Sequence, residues 1–173
     1  MANNGGIILK TTLEVPLIAQ RPELPTGCEI TAVTMMLNSA GFHTDKVDLA
    51  HRMPYDKKDR DKGFIGDPFT DDGDSIYPHA LVSLVTEITG SATDLTGATL
   101  PELLAYLADT RHAIVVWVGE FDGFHTHALT ITGFDDDNQI IYFNDCWTDK
   151  ADHLSYADFE TIWARHDHRA LSL

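Results

Sequence analysis

Cysteine, basic residues and long apolar runs are all scarce in this sequence. Only two cysteines occur in 173 residues, Cys28 and Cys146. That is too few for the disulfide framework of a small secreted domain. Lys and Arg number 12 against 27 Asp and Glu, a formal charge of −15. Such a surface lacks the cationic clusters that nucleic-acid backbones and anionic membranes need, so neither is an expected partner. Apolar runs extend only a few residues, far short of the ~20 that span a bilayer. Met1 is not followed by a basic segment and an apolar core, so the expected location is cytoplasmic, or exported if a signal has been removed. Neither internal repeats nor low-complexity tracts are present. What remains is an ordinary globular composition, 43% hydrophobic and 23% charged, enough for a core without disulfide or structural metal. One domain is expected over residues 12–173, after a flexible start at 1–11 that includes Asn3-Asn4-Gly5-Gly6.

Periodicity and punctuation order the chain. Thr12–Ala19 reads as a strand, with Pro16 arguing for an edge or bulge. A loop held by Pro22 and Pro25 follows, and Thr26-x-x-Glu29 fits a capping box opening a helix. Asp45 caps a short helix that stops at Pro54. Pro78–Thr89 is helical, and Thr99-x-x-Glu102 opens another helix running to about Thr110. Ala113–Val118 is a buried strand by composition. Ala128–Phe134 and Ile140–Asn144 are strands joined by the turn-forming Asp135–Gln139. Ser155 caps a last helix, and Ala170–Leu173 reads as an edge strand. Helices first and an antiparallel sheet later give an α+β fold.

Between these elements, Pro54–Asp74 shows no period over 21 residues and carries seven Asp. A loop of that length in a compact domain is functional or disordered. Tyr55, Phe64, Ile65 and Phe69 argue for docking, since disordered linkers are poor in such residues. The expectation is a loop bordering the active-site cleft, with Tyr55, Phe64 and Ile65 contacting substrate.

The candidate chemistry starts at Cys28. With Thr26 as N-cap it falls in the first helical turn, where unpaired N–H groups and the helix dipole favour a thiolate and lower its pKa. The alternative is a small buried apolar side chain. A nucleophilic thiol needs a base and an orienter. A hairpin symmetric about Asp136 sets His127 opposite Asp145, on one face of the sheet, where a carboxylate can hold an imidazole in one tautomer. A surface His–Asp pair without a role, or His125 on the same face, are the competing readings. Gln20, eight residues before Cys28, can donate an amide proton to an oxyanion, or be a solvated loop residue.

Several blocks carry a resemblance. They are Val15–Gln20, Pro22–Ala32 with its Gly27-Cys28-Glu29, Gly63–Pro68, Ile76-Tyr77-Pro78, Val115–Val118, His127-Ala128-Leu129 through Asp135, Asn144-Asp145, and Phe159-x-x-x-Trp163. Together they resemble the C39-like cysteine peptidase family, related to bacteriocin-leader processing domains. The resemblance implies a papain-like fold, with the N-terminal helices and their nucleophile packed on a C-terminal sheet carrying His and Asp. It implies Cys28 as nucleophile, His127 as base in preference to His125, Asp145 as orienter and Gln20 in the oxyanion hole. Where the family often reads Asn-Asp-Pro-Trp, this chain has Cys146 before Trp147.

Metal is not expected, because no C-x-x-C, H-E-x-x-H or C₂H₂ spacing occurs. The Asp clusters at 71–74 and 135–137 do not fit a calcium loop and read as turns. The expected activity is a cofactor-free thiol hydrolase acting on a peptide or protein substrate. Acyl transfer by the same residues, or a papain-like binding module without catalysis, are the alternatives.

Overall fold

The computed structural model describes residues 8–173; the Asn3–Gly6 segment lies outside them. Among the described residues five helices are formed: α1 (Cys28–Ser39), α2 (Lys46–Arg52), α3 (Pro78–Thr89), α4 (Leu100–Thr110) and α5 (Tyr156–Ala164). The strands are β1 (Lys10–Thr12), β2 (Thr93–Asp94), β3 (Ile114–Val118), β4 (His127–Asp135), β5 (Ile140–Asp145), β6 (Lys150–Ser155) and β7 (Ala170–Ser172). They make one antiparallel sheet in the order β2-β7-β3-β4-β5-β6, with β1 also paired to β4. The fold is α+β.

Most helix starts follow local chemistry. Asp45 accepts from the N–H groups of Val47 and Asp48, Thr99 and Glu102 form the full capping box, and Ser155 caps α5. α1 departs from expectation. Its N-cap is Gly27 and no side chain caps it. Thr26 Oγ1 donates to the carbonyls of Asp67 and Thr70 at 3.3 and 2.9 Å, while Glu29 turns inward to Ser75. The capping box at Thr26 and Glu29 is therefore not formed. Tertiary partners claim both side chains, and Cys28 becomes the first helical residue.

The core lies on both faces of the sheet. Along β3, Val115 and Trp117 pack with α1–α3, and Ile114, Val116 and Val118 pack with α4 and α5. A strand covered on both sides needs an uninterrupted apolar run, which this segment supplies. α1 is tied to β4 by Thr130 Oγ1, which donates to the Ala32 carbonyl at 3.0 Å.

Three expectations change. The strand expected over Thr12–Ala19 is confined to Lys10–Thr12, of which Lys10 and Thr11 fall in the segment expected to be loose and only Thr12 in the expected strand. Beyond Leu13, whose N–H still reaches Thr132, the chain leaves the sheet, and Ile18 N–H meets Met35 Sδ on α1. β7 is not an edge, because β2 covers its outer side and all three of its residues are buried. β6 was not anticipated: its Lys-Ala-Asp-His-Leu-Ser sequence is mostly exposed and has no apolar alternation, and backbone pairing with β5 along its whole length makes it a strand.

The long segment 54–74 is ordered by its own backbone and side-chain hydrogen bonds. Phe64 N–H donates to the Pro54 carbonyl and Asp56 N–H to that of Phe64, closing the loop around Phe64. Asp56 and Asp67 accept backbone N–H groups two residues on, the turn chemistry that explains the acid content. The far end docks on the start of α1 through Thr26. Gly73 makes this contact possible, since a Cβ there would lie 1.9 Å from Thr26 Oγ1 and 2.8 Å from the Asp67 carbonyl oxygen. Gly73→Ala is therefore expected to cost about 1–3 kcal/mol, as other overpacking changes do. Equilibrium denaturant unfolding of the variant checks it, and an unchanged midpoint would show that the loop is not held on α1.

Candidate active site

Two antiparallel strands bring a histidine and an aspartate together at the sheet end that faces the start of α1. β4 and β5 pair Thr130 with Asn144 and Ile131 with Phe143, then shift at a bulge before Gly133 pairs with Tyr142. Continued along that register, His127 is diagonal to Asp145 and not directly opposite, as the symmetric count had it. The turn is centred between Asp137 and Asn138 and not on Asp136, which accounts for the difference; the bulge takes back one residue of it. A diagonal pair still lies within reach of long side chains. His127 Nε2 and Asp145 Oδ1 are 2.7 Å apart, and both side chains are at most 3% exposed. Asp145 also accepts from Trp147 N–H at 2.9 Å and Thr148 Oγ1 at 3.0 Å. Burial by itself would push the Asp145 carboxyl up. The hydrogen bonds from His127, Asp122 and Trp147 overcome it and hold the group well below the usual carboxylate range. With Nε2 engaged, Nδ1 is the ring nitrogen left for chemistry.

Cys28 opens α1, where its backbone N–H has no intrahelical acceptor. The expected lowering of its pKa is not found. Burial pushes the Cys28 thiol well above its usual range, the charges of Glu29 and Cys146 add to this, and only the Ala128 N–H opposes them. The helix terminus favours a thiolate, but the thiol is only 8% exposed, and closing off water outweighs the dipole.

Gln20 and Cys146 lie beside it. Gln20 is 2% exposed, not solvated. Its Nε2 donates one proton to the Pro25 carbonyl at 2.8 Å, leaving the second uncommitted. Gln20 N–H donates to the Cys146 carbonyl, and Lys46 from α2 donates to the Gln20 carbonyl at 3.1 Å, which fixes this turn. Cys146 is a free thiol pointing at Gln20 Oε1 (3.4 Å) and the Cys28 carbonyl oxygen (3.7 Å). His127, Asp145 and Cys146 offer N, O and S atoms within 4.8 Å of one another, the one such trio among the described residues. Two of these atoms are already joined in the His127–Asp145 hydrogen bond.

The remaining sequence candidates separate. His125 is exposed and pairs with Glu120 in solvent, away from Asp145. Phe64 is 1% exposed and belongs to the core, so the expectation that it touches substrate is corrected: its ring is spent on packing. Tyr55 is 46% exposed, with its hydroxyl on the Ala50 carbonyl, and Ile65 is half-buried. The part of the loop that reaches Cys28's helix is Asp67–Ser75 instead. Sequence reasoning missed Phe121, Asp122 and Phe124. Both rings stack on His127, with Asp122 between them at the tip of the turn. The Asp122-Gly123 pair is a hairpin-turn signal that was available in the sequence.

Two outcomes follow from this geometry. Alkylation of Cys28 by a small haloacetamide is expected to be slow at neutral pH and to accelerate only as pH rises past the free-thiol range, measured as rate against pH by mass spectrometry. Asp145→Ala leaves His127, Trp147 N–H and Thr148 without their acceptor in a closed site, and is expected to cost about 3 kcal/mol by chemical denaturation. The sign for pH is set by the lowered carboxyl: its stabilisation is full above its unfolded range and fades as pH falls below about 4.

Comparison with known proteins places the chain in a family. The model of the Peptidase_C39 like family matches residues 12–171. An uncharacterized protein, YvpB of Bacillus subtilis (strain 168), is 27% identical over 176 residues, covering 87% of this chain and 70% of that protein. A crystal structure from Bacillus anthracis, described as a putative C39-like peptidase, superposes with a TM-score of 0.83 at 25% identity, over 92% of this chain and 95% of that one. With most of its length matched, this chain belongs to the Peptidase_C39 like family.

Proposed function

We propose that this protein is a cysteine peptidase that hydrolyses a peptide or related amide bond through an acyl-enzyme. The observation that carries the reading is the closed His127–Asp145 pair, with Nδ1 of the ring left over and Cys146, beside the pair, reaching the Cys28 carbonyl oxygen. Family membership supports it.

In this reading the resting pair is a neutral thiol beside an imidazole. His127 takes the Cys28 proton on Nδ1 as the sulfur attacks the substrate carbonyl. Negative charge developing on the carbonyl oxygen meets the Cys28 backbone N–H and the second amide proton of Gln20. The imidazolium protonates the leaving amine, leaving a thioester on Cys28. His127 then removes a proton from water, which attacks the thioester and releases the acid and the thiol. Asp145 holds the ring in the required tautomer throughout. Substrate is a peptide or protein chain. Thr26 ties Asp67 and Thr70 beside the nucleophile's helix, so this end of the long loop lines the approach.

A peptide library digested with the full-length chain tests the reading. Cys28→Ala and His127→Ala are each expected to lower kcat by about 10³-fold or more while the fold persists. A wild type without turnover on any peptide, or a Cys28→Ala variant as active as wild type, overturns it. Repeating the digestion with an added amine separates hydrolysis from transfer, and amide product in place of free acid would move the reading to an acyltransferase.

A further inference from the structure

Cys146 is the buried reactive group that the peptidase reading leaves unused. β5 ends at Asp145, so the next residue is no longer held to the opposite face of a strand. The chain turns there, with Trp147 N–H and Thr148 Oγ1 folding back onto Asp145. Cys146 is carried round with them, and its Sγ lies within 4.8 Å of ligand atoms of both His127 and Asp145. A thiol is a weak donor, so its contacts with Gln20 Oε1 at 3.4 Å and the Cys28 carbonyl oxygen at 3.7 Å hold it only weakly.

One imidazole nitrogen, one carboxylate oxygen and one sulfur thus converge, on residues at most 2% exposed. This is a donor set for a borderline-soft divalent ion such as zinc, whereas magnesium and calcium take oxygen ligands. The spacing fits. Ligand atoms around tetrahedral zinc stand about 3.3–3.6 Å apart, given bonds of about 2.0–2.3 Å. The His127–Asp145 contact, now 2.7 Å, opens by about 0.6 Å, and the other separations, now within 4.8 Å, close by at most about 1.3 Å. Gln20 Oε1, beside the sulfur, or a water supplies a fourth ligand. A cavity of about 400 Å³ opens beside Cys146 between Arg21, Trp147 and Asp149 and gives an ion a route inward. Arg21 lies there stacked on the Trp147 ring at 3.9 Å, while the chain's charge of −15 favours cations overall. His127 and Asp145 are 18 residues apart in the chain, so no short ligand motif announces the site.

We propose that His127, Asp145 and Cys146 form a site for a zinc-class ion that switches the catalytic residues off. Binding releases the Cys146 thiol proton to solvent, and the sulfur ligates as thiolate. A metal on Nε2 of His127 sends the ring proton to Nδ1, and a metal on Nδ1 takes that lone pair itself. Either way the imidazole has no free pair to accept the Cys28 proton. Asp145, now a ligand, no longer orients the ring. The loss of activity rests on the cysteine-peptidase reading; the metal site does not.

Cobalt(II) added to the reduced full-length chain tests the site, since it takes the place of zinc and reports a thiolate ligand by a near-ultraviolet charge-transfer band. Only Cys28 and Cys146 can give that band. Wild type and Cys28→Ser are expected to show it and to lose it when zinc is added. Cys146→Ser is expected to lack the band and to bind zinc about tenfold more weakly or worse, by titration calorimetry. Cys146→Ala replaces it if the buried hydroxyl prevents folding. Zinc, but not magnesium, should stop peptide cleavage by wild type, while Cys146→Ser should cleave at a similar rate and resist zinc. A band that survives in Cys146→Ser and vanishes in Cys28→Ser would put the metal on the nucleophile and overturn the proposal, as would a wild type without the band. If the wild type cleaves no peptide, the peptidase reading fails, while the cobalt spectrum still decides the site.

Discussion

The hydrogen bond between His127 Nε2 and Asp145 Oδ1 is the constraint around which this end of the molecule is organised. A carboxylate removed from water is costly unless partners replace its hydration, and the local chain is arranged to do so. Trp147 N–H and Thr148 Oγ1 turn back onto Asp145 as soon as β5 ends. The bulge after Ile131 sets a register in which the two side chains meet diagonally across the strands. Phe121 and Phe124 lie over the imidazole and exclude solvent from it. Each of these features has little purpose without the pair.

Cys28 shows the opposite balance. Its place at the first turn of α1 favours a negative sulfur, yet desolvation, Glu29 and Cys146 work against one, and burial is the largest of these effects. The resting sulfur is therefore a thiol, and its proton leaves only when a base accepts it. Glu29 is fully buried, with Ser75 Oγ on one oxygen at 2.5 Å and no hydrogen-bond partner on the other. It links the end of the long loop to the residue next to the nucleophile. Packing of the loop, closure of the site and protonation of Cys28 are thus parts of one arrangement.

Features governed by near neighbours were legible in the chain. Asp45, Thr99 with Glu102, Pro78 and Ser155 act within three or four residues of themselves, and all behave as their local chemistry dictates. Ile114–Val118 announces burial on both faces through composition alone. The failures share a different cause. Thr26 and Glu29 have capping chemistry, but the carbonyls of Asp67 and Thr70 and the hydroxyl of Ser75, about 40 residues away or more, compete for them and win. β6 carries no apolar alternation because its side chains face solvent, and only the unpaired edge of β5 makes it a strand. A core aromatic and a substrate-facing one look alike in sequence, and Phe64 proves to be the former.

The sequence by itself determined the kinds of groups available and their local settings: one thiol at a helix start, one His and one Asp at the ends of adjoining strands, a Gln eight residues before the thiol, and an acidic surface. Those follow from periodicity, turn chemistry and charge, which act over short separations. Tertiary structure decided what the groups became. It set the register that joins His127 to Asp145, the burial that keeps Cys28 protonated, and the turn that lays Phe121 and Phe124 on His127. Desolvation and long-range register depend on which distant segments exclude water and where strands shift, and no local pattern encodes either.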